Sequence, residues 1–204
     1  MDFFQAFKNV FKDWRGPQWI FVLSLLGNTL VGGMSTQPLK AEQNAVTANE
    51  YNLKLARLYA TAKFVNWPQD SESAQSPFVI AVVAPDPFAG GLSKLDGRKL
   101  KDRPIATKVI DSVDEFTSCQ VLFVPTNANP TLVGQILHKI AKQPVLVWRD
   151  QADSTASIRA ACNFVRQGEN LIVEINPAEM QRANLSPDGR LMSLNLVRVV
   201  KANP

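Results

Sequence analysis

The chain has 204 residues and a mass of 22.5 kDa, room for one domain of about 150 residues with its own core plus a tail. With 46% hydrophobic and 20% charged residues and a mean hydropathy of -0.07, it is neither a disordered chain nor a bundle of membrane spans. The formal charge of +4 comes from dispersed basic residues with no aromatic-interleaved basic stripe, so composition argues against nucleic acid as a partner.

Residues 1–33 differ from the rest. Arg15 is the last charge before Lys40, and the apolar stretch between them is strongest over Trp19 to Leu26 and weakens at Asn28 and Thr29. Lys8, Lys12 and Arg15 ahead of it and Gly32 and Gly33 behind it give the three-part layout of a secretory signal, with cleavage expected near Val31-Gly32-Gly33. An uncleaved interfacial anchor is the competing reading, since Phe3, Phe7, Val10 and Trp14 share one helical face among lysines. No cysteine is near enough to carry a lipid, and loss of residues 1–33 leaves a net charge of +3. In an oxidising compartment Cys119 and Cys162 could pair, or they could be two buried thiols; spacing alone does not bring two Cα atoms within bonding reach. Two thiols without nearby histidines make no zinc site.

Residues 34–49 show no periodicity and read as a linker. The next segment, "YNLKLARLYATAKFVNWP" over 51–68, carries one apolar stripe through Tyr51, Leu55, Leu58, Ala62 and Val65 and a second through Leu53, Ala56, Ala60, Phe64 and Trp67. Only Lys54, Arg57 and Thr61 leave a polar stripe, so this helix should be covered on two sides. Pro68 is expected to end it. "PFVIAVVAP" reads as a strand buried on both faces, and Asp86-Pro87 as a helix start for "FAGGLSKL". "RPIATKVI", with Pro104 near its start, suits an edge strand, and Ser112 and Glu115 suit a capping box on a short helical turn.

Strand "CQVLFVP", helix "PTLVGQILHKIAK" and strand "PVLVW" follow, then a hairpin of "CNFV" and "NLIVEIN" about a turn containing Gly168. Asn176-Pro177 starts a helix through "AEMQRA", and Leu191, Leu194, Val197 and Val200 suggest a final helix. The expected fold is a single α/β domain over residues 50–204: a largely parallel mixed sheet flanked by helices, ending in a hairpin and two helices.

Chemistry is sparse. His138 lies in an amphipathic helix with no oriented reacting partner in view, which suits a surface histidine better than a general base. There is no nucleophile elbow, phosphate loop, zinc-protease pair or dinucleotide fingerprint, so the chain reads as a non-enzyme without cofactor or metal. Gly90 and Gly91 after the first strand, with Arg98, Lys99, Lys101 and Arg103 close behind, could hold a small anionic ligand or be a solvated loop. Glu174 and Arg182 could form a structural ion pair or face a partner, and the structural pair is the favoured reading. Phe64 and Trp67 either complete the core or line a groove for a partner.

Taken together, "KFVNWP", "CQVLFVP", "CNFVRQGENLIVEINPAEMQRANL" and "RLMSLNLVRVV" resemble the YfiR family of exported regulators over about residues 50–201. Phe64, Trp67, Pro68, Glu174, Ile175 and Asn176 match its hallmarks. The resemblance implies a periplasmic repressor docked on the periplasmic domain of an inner-membrane diguanylate cyclase, homodimeric, and relieved by an outer-membrane-associated partner or by envelope or redox stress. With only two cysteines the chain departs from the best-known relatives in the feature that redox sensing would need. On this reading Phe64, Trp67 and Pro68 are the candidate partner-binding residues and Gly90, Gly91, Arg98 and Lys99 the candidate ligand-binding ones.

Overall fold

A computed structural model describes residues 38–68, 76–150, 159–195 and 197–200. The signal or anchor expected over residues 1–33 lies outside the described residues.

Helix α1 (Pro38–Lys63) leads into β1 (Val65–Asn66), β2 (Phe78–Val83), a 3-10 turn (Leu92–Leu95), β3 (Lys99–Leu100), β4 (Arg103–Ile110) and β5 (Val121–Val124). Helix α2 (Pro130–Ile140), β6 (Leu146–Arg149), β7 (Cys162–Gln167), β8 (Asn170–Ile175), α3 (Pro177–Arg182), β9 (Ser186–Pro187), α4 (Gly189–Met192) and β10 (Val197–Val199) complete the chain. Eight strands form one mixed sheet in the order β10-β8-β7-β6-β5-β2-β4-β3, and β1 pairs with β9 in a small antiparallel ribbon. Strands β4, β2, β5, β6 and β7 are mutually parallel; β8 turns back on β7, and β10 runs parallel to β8. From β2 the chain goes to β4 on one side, and from β5 to β6 on the other, so these neighbours diverge at their carboxyl ends. Open α/β sheets place crevices at such a point.

The sheet separates two cores. Leu55, Leu58 and Tyr59 of α1 pack with Ile80, Val82, Phe123, Trp148, Phe164 and Val173 on one face. On the other, Val133, Ile136 and Ile140 of α2 pack with Ala81, Val83, Leu122 and Val147. Alternate residues of each strand serve opposite cores, as strand geometry requires. Polar caps start the helices: Asn129 Oδ1 accepts from Thr131 N at 2.9 Å for α2, and Asn176 Oδ1 accepts from Ala178 N at 3.1 Å for α3. The β7–β8 hairpin turns at Gly168, whose φ of 60° is costly for any residue with a Cβ.

The single α/β domain, its largely parallel sheet and its terminal hairpin follow the sequence reading; five local assignments do not. Residues from Pro38 onward, read as linker, are already helical. The helix stops at Lys63 rather than at Pro68, because Val65 is fully buried and pairs with Pro187 while Asn66 pairs with Ser186. "FAGGLSKL" forms a turn and one 3-10 turn, Gly90 at φ 78° breaking the helical run, and Ser112 caps only a turn, accepting from Asp114 N at 3.3 Å. The final helix is four residues long, and Val197–Val199 instead joins the sheet opposite Val173–Ile175. That three-residue segment gains more from ladder hydrogen bonds and from packing Val197 on the core than a frayed helix end would.

Cys119 and Cys162 are free, buried thiols rather than a pair. Cys119 belongs to the α2-side core and Cys162 to the α1-side core, with the sheet between them. Burial pushes the Cys119 thiol up to about 12 and Cys162 well above its usual value.

Candidate functional site

Residues 54–62 of α1 are buried on every side, including the polar stripe: Lys54, Arg57 and Thr61 are 2%, 6% and 2% exposed. Lys54 is held there by charge. Its Nζ lies 2.6 Å from Asp150 Oδ1 and 2.8 Å from Glu50 Oε1. The contact to Asp150 falls outside hydrogen-bond angles, so that oxygen is compensated by the ammonium charge alone. Tyr51 Oη donates to Asp150 Oδ2 at 2.7 Å, and Glu50 Oε2 accepts from Arg166 Nη2 on β7.

Asp150 follows β6 at the carboxyl end of the parallel strands, and its own N–H donates to Val124 O of β5. The network therefore ties the middle of α1 to three adjacent strands. Burial raises Glu50, but the Lys54 and Arg166 charges outweigh it and hold the carboxyl below its usual range. Burial, with the Asp150 carboxylate beside it, holds the Tyr51 hydroxyl well above its usual value. Asp150 has no role in the sequence reading; the signal that could have found it is a single acid set directly after an apolar strand facing a helical lysine. Among the described residues Arg57 has no such compensation: its Nε and Nη1 are buried without a hydrogen-bond partner there, and burial lowers its pKa.

The close of α1 gathers the proposed partner-binding residues. Phe64, Trp67 and Pro68 are all half-buried; Phe64 and Trp67 pack against the α1-side core. The Trp67 ring stands edge-on to Phe78 with centroids 5.2 Å apart, and the Arg190 guanidinium lies 5.4 Å from the Phe64 centroid. Phe64 O accepts from Asp188 N at 2.7 Å, which joins this segment to the β9–α4 turn. One loose end remains: Trp67 Nε1 is buried without an acceptor among the described residues. Trp67→Phe keeps an aromatic ring against Phe78 and removes that orphan donor together with part of the half-buried indole. We expect it to change stability by less than about 1 kcal/mol, because no bond in the folded chain is lost and a buried unsatisfied group disappears. A loss of about 2 kcal/mol or more in urea unfolding would mean that the indole, through its packing or its N–H, holds this segment on the core.

The candidate ligand residues spread out. Gly91 N is used by Phe88 O at 2.8 Å, and a Cβ at Gly91 would meet that oxygen at 2.9 Å and Asn52 Oδ1 at 3.2 Å, so this glycine admits α1 closely rather than cradling a phosphate. Arg98 Nε donates to Lys94 O, Lys99 O accepts from Tyr59 Oη, and Arg103 donates to Ser76 O and Pro77 O. Lys99 and Lys101 are exposed. Glu174 pairs with Arg198, at 3.0 Å from its Nε, while Arg182 pairs with Glu179, so the Glu174–Arg182 pair expected from sequence is replaced by two others. His138 is exposed in the last turn of α2.

Among the described residues no group of three or more His, Cys, Asp or Glu is placed to hold a metal ion, and no helix is long and apolar enough to cross a membrane. A family model described as YfiR/HmsC-like matches residues 51–195. No curated protein matches the chain.

Proposed function

Because the chain belongs to the YfiR/HmsC-like family, we propose that it is a non-enzymatic regulator that binds the periplasmic domain of an inner-membrane diguanylate cyclase and represses cyclic di-GMP synthesis. The family is one of periplasmic regulators of diguanylate cyclases in general. The observation that carries the reading is the family match over residues 51–195, most of the chain and nearly all of what would remain after export. Residues 1–33 are the export signal on this reading, and residues 50–204 the regulatory domain.

Repression by binding needs no reacting group in this protein. It needs a surface that prefers the inactive conformation of the cyclase, and tenfold repression corresponds to a preference of about 1.4 kcal/mol. The Phe64–Trp67–Pro68 segment beside the β1–β9 ribbon is our choice for that surface. It offers half-buried aromatic rings and an exposed Arg190 in one place. Aromatic and arginine side chains are the residues that dominate protein interfaces. A second copy of the chain and an outer-membrane-associated relieving protein are further partners on this reading.

Deleting the gene should raise intracellular cyclic di-GMP, and restoring the secreted protein should lower it again. No change in cyclic di-GMP on deletion would end the reading.

A further inference from the structure

A crevice of about 380 Å³ opens between the carboxyl end of α2 and helix α3, at the amino-terminal edge of β6 and β7. Its floor is apolar, with Leu137, Val145 and Val147 among the lining residues, and its rim carries Arg159, Arg182 and Glu179. We propose that this crevice binds a small amphipathic carboxylate, its apolar body on the Leu137–Val145–Val147 floor and its anionic group on Arg159. The inference stands apart from the cyclase reading and from the Gly90–Gly91 turn, which lies elsewhere in the fold.

Three observations select this class. The volume falls in the range of small-molecule sites, which are mostly apolar with a few placed polar groups. On the rim Glu179 already neutralises Arg182, which leaves the exposed Arg159 as the charge available to a ligand. One guanidinium forks onto one planar carboxylate, whereas a dianionic phosphate would call for a second cation, and Glu179 holds that one. The same crevice meets Ile140 and Ala141 at the carboxyl end of α2, where partial negative charge disfavours an anion. The anionic end is thereby directed to the arginine rim and the chain to the floor.

The test uses the purified full chain, 8-anilino-1-naphthalenesulfonate as fluorescent reporter, and decanoate and decanol as competitors of equal chain length. Decanoate should displace the reporter at least tenfold more tightly than decanol. Arg159→Glu should abolish that preference while leaving decanol affinity and the melting temperature unchanged. Val147→Phe, which fills the floor, should weaken both competitors about tenfold or more. Equal displacement by decanoate and decanol, no displacement by decanoate, or unchanged decanoate affinity in Arg159→Glu would each overturn the proposal. Because no cyclase enters the assay, these outcomes are independent of the regulatory reading.

Discussion

Lys54→Met is expected to lower folding stability by about 3–5 kcal/mol, read as a fall in the urea midpoint at unchanged slope. The substitution keeps the length and apolar stem of the side chain and removes only its charge. Asp150, 2% exposed, would then retain the Tyr51 hydroxyl bond at 2.7 Å and lose the ammonium that offsets its burial. An unpaired buried carboxylate costs far more than a lost surface ion pair, whose removal is worth about 1 kcal/mol or less. The double variant Lys54→Met/Asp150→Leu should recover most of the loss, since replacing both members of a buried pair with apolar groups is often neutral. A single variant as stable as the parent, or a double variant no better than the single, would show that the pair is not what seats α1 on the sheet.

Phe123→Ala should cost about 3–5 kcal/mol, the range for emptying a fully buried aromatic site. Phe123 is wholly inaccessible, with its ring centroid 5.0 Å from Phe88 and 6.4 Å from Phe164. Phe164 in turn lies 4.7 Å from Trp148, and Phe88 stands edge-on to Tyr51 at 5.8 Å. The rings form a continuous line from the middle of the sheet to the tyrosine that binds Asp150. Truncation at its centre removes contacts on both sides, whereas Phe123→Leu keeps most of the volume and should cost about 1.5 kcal/mol or less. A loss below about 1 kcal/mol for Phe123→Ala would mean the neighbouring rings collapse into the space.

The parallel strands were legible in the sequence because both of their faces are buried, which leaves unbroken apolar runs such as "FVIAVV" and "VLFV". Helices α2 and α3 were equally plain, each announced by an asparagine followed by a proline. What escaped depends on contacts far apart along the chain. Val65 is a strand residue only because Pro187 lies across from it, and Val197–Val199 only because β8 offers an open edge. The Lys54–Asp150 pair links positions 96 residues apart, so local spacing marked Lys54 as part of a polar stripe and could not show the buried carboxylate it meets. The aromatic close of α1 was identified by residue type, but its geometry, with Phe64 and Trp67 packed on the core and one indole donor left over, follows from the β9–α4 turn folding back against it.

The two sequestered sulfurs have a consequence for how such a protein endures an oxidising surrounding. A thiol must ionise and meet its reagent before it reacts, and here neither step is open while the molecule stays folded. Peroxide or an alkylating agent would therefore be consumed at the rate at which each layer transiently opens, Cys119 timing the α2 side and Cys162 the α1 side. The chain carries its own pair of clocks for breathing motions, one on each side of the sheet.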